Sequence, residues 1–138
     1  MIKEAYVSFE VAKLLKEKGF DCPCHGTYDT AVTGGKPKFF EYEVLNYFPN
    51  GMKNSDDKYG MVISAPTYQM VMAWLREIHN IFIVIEPYTY NYVDEKISSY
   101  VASLWQGDNC CENITSKNYP TYEETVEAAI KYCLENLL

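Results

Sequence analysis

The fold is decided by residues 66–85, whose sequence is PTYQMVMAWLREIHNIFIVI. The first part repeats apolar residues at helical spacing, so we predict a helix over residues 67–79 that ends at Asn80. The apolar positions of this helix are Val71, Trp74, Leu75 and Ile78. The next five residues, 81–85, are all apolar and mostly β-branched, and they are too few for a helix of their own. We therefore predict a strand that is covered on both faces.

The tetrapeptide Pro-Thr-Tyr-Gln at residues 66–69 returns as Pro-Thr-Tyr-Glu at residues 120–123, each time before a helical pattern. Thr67 and Thr121 suit the N-cap position, because a threonine oxygen can accept a backbone N–H that is unpaired in the first turn. Glu124 lies three residues after Thr121 and completes a capping-box pattern. Helix capping explains the echo about as well as an internal duplication does, so both stay open.

The N-terminal segment predicts another amphipathic helix, over residues 9–18. Ser8 is its expected N-cap. Gly19 can take the left-handed conformation just past the helix, and Phe20 is then expected to fold back towards Leu15, as in a Schellman ending.

A hairpin is predicted between this helix and residue 66, with strands over residues 25–30 and 39–48 joined by the turn-forming residues 33–37. The second arm alternates apolar and acidic side chains, so one of its faces is expected to pack inward. The apolar members are Phe40, Tyr42 and Val44, and the acidic ones are Glu41 and Glu43. Residues 53–59 are polar and predict a surface loop.

A second hairpin joins the strand at residues 81–85 to an arm over residues 96–105, and a polar loop follows over residues 107–119. A last amphipathic helix closes the chain. Its apolar face consists of Tyr122, Val126, Ala129, Ile130, Cys133 and Leu137. The element order α-β-β-α-β-β-α predicts an α+β fold with three helices and an antiparallel sheet of about four strands. With 138 residues, we expect a single globular domain over residues 1–138.

The chain is acidic, with nineteen Asp and Glu against twelve Lys and Arg and a formal net charge of −7. Because this charge repels a phosphate backbone, we expect no nucleic-acid partner. Neither a secretory signal pattern nor a run of eighteen apolar residues occurs, so we expect a cytoplasmic protein with no membrane partner. Five cysteines are then expected to be reduced thiols, and the acceptor pattern at residues 113–115 is expected to be unglycosylated.

Cys22, Cys24 and His25 place three soft-metal ligands within four residues, and Cys110 with Cys111 could complete a zinc shell. The spacing disfavours zinc, because two to four residues usually separate paired zinc ligands, whereas one residue separates Cys22 from Cys24 and none separates Cys110 from Cys111. The spacing also differs from the thioredoxin-like motif, in which two residues separate the cysteines. A small thiol- or zinc-dependent module centred on Cys22, Cys24 and His25 remains the alternative function.

Two other groups of residues invite a functional interpretation. His79 suits a structural role in the last turn of its helix, where an imidazolium interacts well with the carbonyl end. Tyr88, Tyr90 and Tyr92 alternate along the chain near a hairpin turn. This pattern fits either cross-strand packing or a recognition surface. No nucleotide-binding, hydrolase or zinc-protease motif occurs. The sequence therefore assigns no catalytic, cofactor-binding or metal-ligating residue, and whether the protein is an enzyme stays open.

The helix-to-strand signature over residues 65–81, together with Tyr119-Pro120-Thr121-Tyr122-Glu123-Glu124, resembles a group of small uncharacterised proteins carried by phages and mobile elements of gut bacteria. That group has no established activity. The resemblance implies a cytoplasmic accessory protein of a prophage or similar element. With the acidic surface and the thirteen tyrosines, it favours a non-enzymatic protein that binds a protein partner, and a homodimer stays open.

Overall fold

The computed structural model describes residues 2–30, 36–41, 50–88, 99–111 and 118–138. The chain divides into two compact units, Met1–Thr67 and Tyr68–Leu138. Three α-helices alternate with antiparallel strands, so the predicted α+β class and the order of the main elements are confirmed. The described strands form two three-stranded sheets, where the sequence predicted about four strands in all. The single domain expected from chain length stays a prediction.

The described residues of the first unit form one α-helix and one antiparallel sheet. Its elements are α1 (Phe9–Glu17), β1 (Gly26–Asp29), β2 (Lys38–Glu41) and β3 (Val62–Ala65), with a 3-10 turn at Asn54–Asp56. The strand order is β2-β1-β3, and α1 contacts β3. The pairing of β1 with β2 confirms the first hairpin, although most of its predicted second arm, including Tyr42 and Val44, lies outside the described residues.

Both ends of α1 follow the local rules that the sequence indicates. The Ser8 hydroxyl accepts the N–H of Val11 at 3.2 Å. Gly19 has a φ of +86° and donates to the carbonyl of Lys16, while the N–H of Phe20 bonds the carbonyl of Leu15 at 2.9 Å. This is the bond pattern of a Schellman ending, which is thereby confirmed.

An aromatic cluster covers part of the first sheet. Phe9 and Phe39 each contact the ring of Tyr28 at 5.5 Å between centroids, and Tyr6 contacts Phe39 at 5.0 Å. The Tyr28 hydroxyl donates to the carbonyl of Val7 at 2.7 Å. Phe40 was expected to point inward; it is half-buried, with the Lys38 ammonium 5.0 Å from its ring centroid.

Side chains of the polar segment before β3 hold it to the rest of the unit. The Asn54 amide donates to the carbonyl of Phe20 at 2.8 Å and accepts the N–H of Ser64 at 2.9 Å. The Asp57 carboxylate accepts the N–H of Val62 and lies 3.9 Å from the Lys16 ammonium. The sequence did not indicate β3, because a four-residue strand depends on its distant partner β1 for stability.

The second unit places two helices against a second antiparallel sheet. Its elements are α2 (Tyr68–His79), β4 (Ile81–Tyr88), β5 (Ser99–Gln106), β6 (Asn109–Cys111) and α3 (Tyr122–Asn136). The strand order is β4-β5-β6, and both helices contact β4 and each other. Asn80 has a φ of +55° and lies between α2 and β4, as predicted. The short strand β6 lies where the sequence predicted a polar loop.

The strand at residues 81–85 is not covered on both faces, so this prediction is wrong. Ile81 is fully buried, and Ile83 and Ile85 are half-buried, whereas Phe82 and Val84 are exposed. The reason is that β4 belongs to an antiparallel sheet, which commonly packs one face on a core and leaves the other towards solvent.

The two helices of this unit bury most of their predicted apolar residues. On α2, Val71, Trp74 and Leu75 are buried, but Ile78 retains 67% exposure and its predicted burial is wrong. On α3 the buried side chains include Val126, Ala129, Ile130 and Cys133. The Thr121 hydroxyl accepts the N–H of Glu124 at 3.1 Å, which confirms this residue as the N-cap.

Candidate functional site

The outward face of the second sheet carries a contiguous apolar surface. Phe82 lies directly opposite Trp105 in the β4–β5 ladder, and Val84 is the next outward residue on β4. These three side chains are 40%, 41% and 38% exposed, respectively. We call this group, Phe82, Val84 and Trp105, the outer face. Single exposed apolar residues are ordinary on protein surfaces, and apolar patches of several hundred Å² are the ones that mark interaction sites, so this group is a candidate for the centre of one.

Register explains why these residues meet. Ile83 pairs with Leu104 and Ile85 pairs with Ala102, and both β5 partners are fully buried. Side chains alternate between the two faces of a strand, so the residues between them must point the other way. Helices α2 and α3 supply the core on the buried side. The outer face follows from this alternation.

The described strands that carry the outer face have acidic charge and no basic charge. The described strands β4, β5 and β6 contain no Lys or Arg, and their one ionised residue is Glu86. The exposed Asp108 lies in the turn between β5 and β6. Residues 68–138 contain ten acidic and four basic residues, a formal charge of −6, against nine and eight in residues 1–67. This half of the chain therefore attracts cations.

Within the predicted motif of Cys22, Cys24 and His25, the structure disfavours thiol chemistry at Cys24. Cys24 is 1% exposed and its thiol donates to the carbonyl of Cys22 at 3.3 Å. Burial raises the pKa of Cys24 to about 12, with the neighbouring Cys22 as a lesser cause. A nucleophilic cysteine needs the opposite shift, because the thiolate is the reactive form.

A zinc site at the same residues is also poorly supported. His25 is exposed and adjoins the buried Cys24. Within the described part of the chain, no three His, Cys, Asp or Glu side chains are gathered closely enough to hold a metal ion. The side chains of Cys110 and Cys111 lie outside what the structure describes.

His79 packs as a structural residue. It is the last residue of α2, and its ring contacts Trp74 edge to face at 4.5 Å between centroids. Its Nε2 is buried without a hydrogen-bond partner among the described residues. Of the tyrosine series, Tyr88 is 40% exposed at the end of β4, and Tyr90 and Tyr92 lie outside the described residues.

Two side chains in the first unit have shifted pKa values, and in both cases the cause is a contact within that unit. Burial and the hydrogen bond to Glu41 raise the pKa of Tyr6 to about 12, with the hydroxyl 3.0 Å from the carboxylate. The backbone N–H of Ser55, 2.7 Å from Asp21, lowers the pKa of that carboxyl. A tyrosine with a pKa this high stays protonated near neutral pH and is therefore not available as a general base, and the Asp21 carboxylate serves to anchor a loop.

Comparisons with protein-family models, with curated proteins and with solved structures find no match for this chain. Among the described residues, no helix has the length and apolar character needed to cross a membrane. The outer face is therefore the feature on which a functional interpretation can be built. The sequence did not predict the outer face. The pattern that could have indicated it is that residues 81–85 are apolar at both odd and even positions, and so on both faces of the strand.

Proposed function

We propose that the protein is a non-enzymatic accessory protein that acts by binding another protein through its outer face. The observation that carries this proposal is the exposure of Phe82, Val84 and Trp105 as neighbours on one sheet surface. Aromatic residues in the centre of a patch contribute much of the binding energy at protein interfaces.

The exposed area of the outer face limits the binding free energy that it can contribute. An aromatic side chain buries roughly 200 Å² when covered, so 40% exposure of Phe82 and Trp105 leaves about 160 Å² between them. At about 25 cal/mol per Å², covering that area supplies about 4 kcal/mol before association costs. A stable interface needs about 800 Å² on each partner. The outer face is thus the centre of an interface whose rim extends over neighbouring residues.

The partner that fits this surface has an apolar centre and a basic rim. Glu86 lies on the same side of β4 as Phe82 and Val84, and residues 68–138 carry a formal charge of −6. Charge of this kind contributes mainly to the association rate and to partner choice. Raised salt should therefore slow binding more than it speeds dissociation.

The setting of this activity is also a proposal. The resemblance of residues 65–81 and 119–124 to proteins of phages and mobile elements supports an accessory role in a prophage. A cytoplasmic location is part of the same proposal.

The test compares capture by three versions of the tagged protein in its native host. They are the wild type, Phe82→Ser with Trp105→Ser, and the control Tyr132→Ser. Tyr132 is 37% exposed and lies on α3 of the same unit, so the control removes an equally exposed aromatic side chain elsewhere. Each captured protein is then purified and titrated with the same three versions.

We expect a partner that binds the wild type and the Tyr132→Ser control within about twofold of each other. The double variant should bind at least tenfold more weakly, which corresponds to a loss of about 1.4 kcal/mol. Equal binding by all three versions would show that the outer face is not the interface. Capture of no stoichiometric partner under any growth condition would remove the main support for protein binding.

A further inference from the structure

The turn before Met52 contains the one Asn-Gly pair of the sequence, Asn50 and Gly51. Asn50 is exposed, and Gly51 has a φ of +88°. In such a pair the backbone nitrogen of the glycine can reach the side-chain amide carbon of the asparagine, because glycine has no Cβ to obstruct the approach and its backbone is the least restricted. The pair therefore places an electrophilic carbon next to a nitrogen nucleophile in the chain.

The fold requires the glycine of this pair. A Cβ added to Gly51 would lie 2.7 Å from the carbonyl oxygen of Cys24 and 2.8 Å from its carbonyl carbon and its nitrogen. These are backbone atoms, and Met52 bonds the same residue in both directions, donating to its carbonyl at 2.8 Å and accepting its N–H at 3.0 Å. A φ of +88° is also one that residues other than glycine rarely adopt. Packing against Cys24 thus keeps a glycine directly after Asn50.

The side chain of Asn50 is free to take part in a reaction. Among the described residues it has no hydrogen-bond partner, and neither does the N–H of Gly51. Exposed side chains change rotamer within nanoseconds, so the amide carbon visits its positions near the nitrogen many times before any slow reaction occurs. Neither group has to give up a contact within the described chain first.

Asn54, four residues further on, is held in place by contrast. Its side-chain amide donates to the carbonyl of Phe20 at 2.8 Å and accepts the N–H of Ser64 at 2.9 Å. The nitrogen that would attack it belongs to Ser55, and this N–H donates to the Asp21 carboxylate at 2.7 Å. Both reacting groups of this second pair are therefore occupied by hydrogen bonds.

We propose that Asn50 is a site of intramolecular deamidation, with water as the only co-reactant. The nitrogen of Gly51 attacks Cγ of Asn50, so a C–N bond forms and closes a five-membered imide. The bond from Cγ to the side-chain nitrogen breaks, and that nitrogen leaves as ammonia with the proton from Gly51. Water then opens the imide. Addition at Cγ gives aspartate, and addition at the main-chain carbonyl gives isoaspartate, in which the chain continues through the former side chain.

The two products differ in their effect on the first unit. Aspartate adds a carboxylate at an exposed position, where a substitution changes stability little. Isoaspartate adds one carbon to the main chain directly before Gly51, which packs closely against Cys24. This displaces the bridge between Cys24 and Met52 and the bond from the Ser64 hydroxyl to the Met52 carbonyl, at 3.1 Å. We therefore expect isoaspartate, and not aspartate, to destabilise the unit.

The first measurement incubates the purified, folded chain at neutral and at mildly alkaline pH in water enriched in heavy oxygen. Proteolysis in ordinary water and mass spectrometry then follow the peptides that contain Asn50 and Asn54. We expect each conversion at Asn50 to incorporate one heavy oxygen, which excludes conversion during digestion. It should be at least about tenfold faster than conversion at Asn54, where hydrogen bonds must break first. The rate should rise with pH, because the attacking nitrogen must lose its proton.

The second measurement uses two variants that leave Gly51 unchanged. Asn50→Gln keeps the amide but requires a six-membered ring, which closes far more slowly, so it should stay intact over the same period. Asn50→Asp carries the charge of one product on an ordinary backbone, and when fresh it should unfold at the same urea concentration as fresh wild type. Isoaspartate-containing protein, separated from aged wild type by chromatography, should unfold at a lower urea concentration.

The proposal is overturned if Asn50 stays intact in the folded chain, whether or not the same chain in urea is converted. It is also overturned if Asn54 converts as fast as Asn50, or if Asn50→Gln releases ammonia as fast as the wild type. Isoaspartate-containing protein as stable as fresh wild type would overturn the structural consequence. None of these results involves the outer face or a captured partner, so failure of this proposal and failure of the proposed function are separate outcomes.

Discussion

Replacing Gly26 with alanine should destabilise the first unit by about 2 kcal/mol. Gly26 lies in the central strand β1, opposite Ala65 of β3. A Cβ added there would be 2.5 Å from the carbonyl oxygen of Ala65 and 2.8 Å from two ring carbons of Tyr6. The ring can tilt, but the carbonyl belongs to a paired strand and must move by about 1 Å to restore ordinary contact.

The magnitude is a balance of two effects. Overpacking of this kind costs about 1–3 kcal/mol, and the backbone contact of 2.5 Å places Gly26 in the upper half of that range, at about 2.5 kcal/mol. The stiffer unfolded chain of an alanine variant recovers roughly 0.5 kcal/mol. With a urea dependence of about 2 kcal/mol per molar, the unfolding midpoint should fall by about 1 M.

Urea titration followed by circular dichroism measures this shift. Trp74 and Trp105 both lie in the second unit, so their fluorescence reports separately on residues 68–138. The control is Gly60→Ala, where a Cβ meets nothing within 4 Å and the φ of +69° alone costs about 1 kcal/mol. A Gly26→Ala variant as stable as the wild type would refute the close approach of β1 and β3.

Three further predictions concern single side chains. Thr121→Ala should cost about 1 kcal/mol in unfolding experiments because α3 loses its N-cap, and Thr121→Ser should retain most of that stability. Burial raises the pKa of Cys24 from 9.0 to about 12, so stability should be full below pH 9.0 and fall as the pH rises towards 12, because the unfolded thiol ionises first. Cys24→Ser should remove that alkaline loss, and Cys24 should react with a thiol reagent far more slowly than the half-buried Cys22. The N–H of Ser55 lowers the pKa of Asp21, so Asp21→Asn should be less stable than the wild type at pH 7, and the difference should disappear as acid protonates the carboxyl below about pH 4.

Local chemistry made the helices predictable. The N-caps at Ser8 and Thr121, the left-handed Gly19 and the exit at Asn80 each depend on residues within one turn of the chain. Such signals are complete in a short window of sequence. The strands β3 and β6 were missed because they are four and three residues long and gain their stability from partners. For β3 that partner, β1, lies more than thirty residues away.

The candidate site was partly visible in the sequence. An unbroken apolar run at residues 81–85 predicted burial of both strand faces, and its strand conformation is confirmed. Which face remains open depends on where α2 and α3 pack, which no local pattern reports. Trp105 belongs to the outer face because the β4–β5 register places it opposite Phe82, and the sequence does not reveal that register. The cysteine and histidine motif was the clearer sequence signal, yet burial makes its Cys24 thiol unreactive.

The failed prediction of two-sided burial itself supports the binding proposal. Within the described part of the second unit, the core lies on the side of Ile83 and Ile85 and not on the side of Phe82 and Val84. Polar residues there would complete the alternation typical of a half-exposed strand and would lower the risk of aggregation. Where a local choice contradicts the needs of the fold, a functional role is the usual reason.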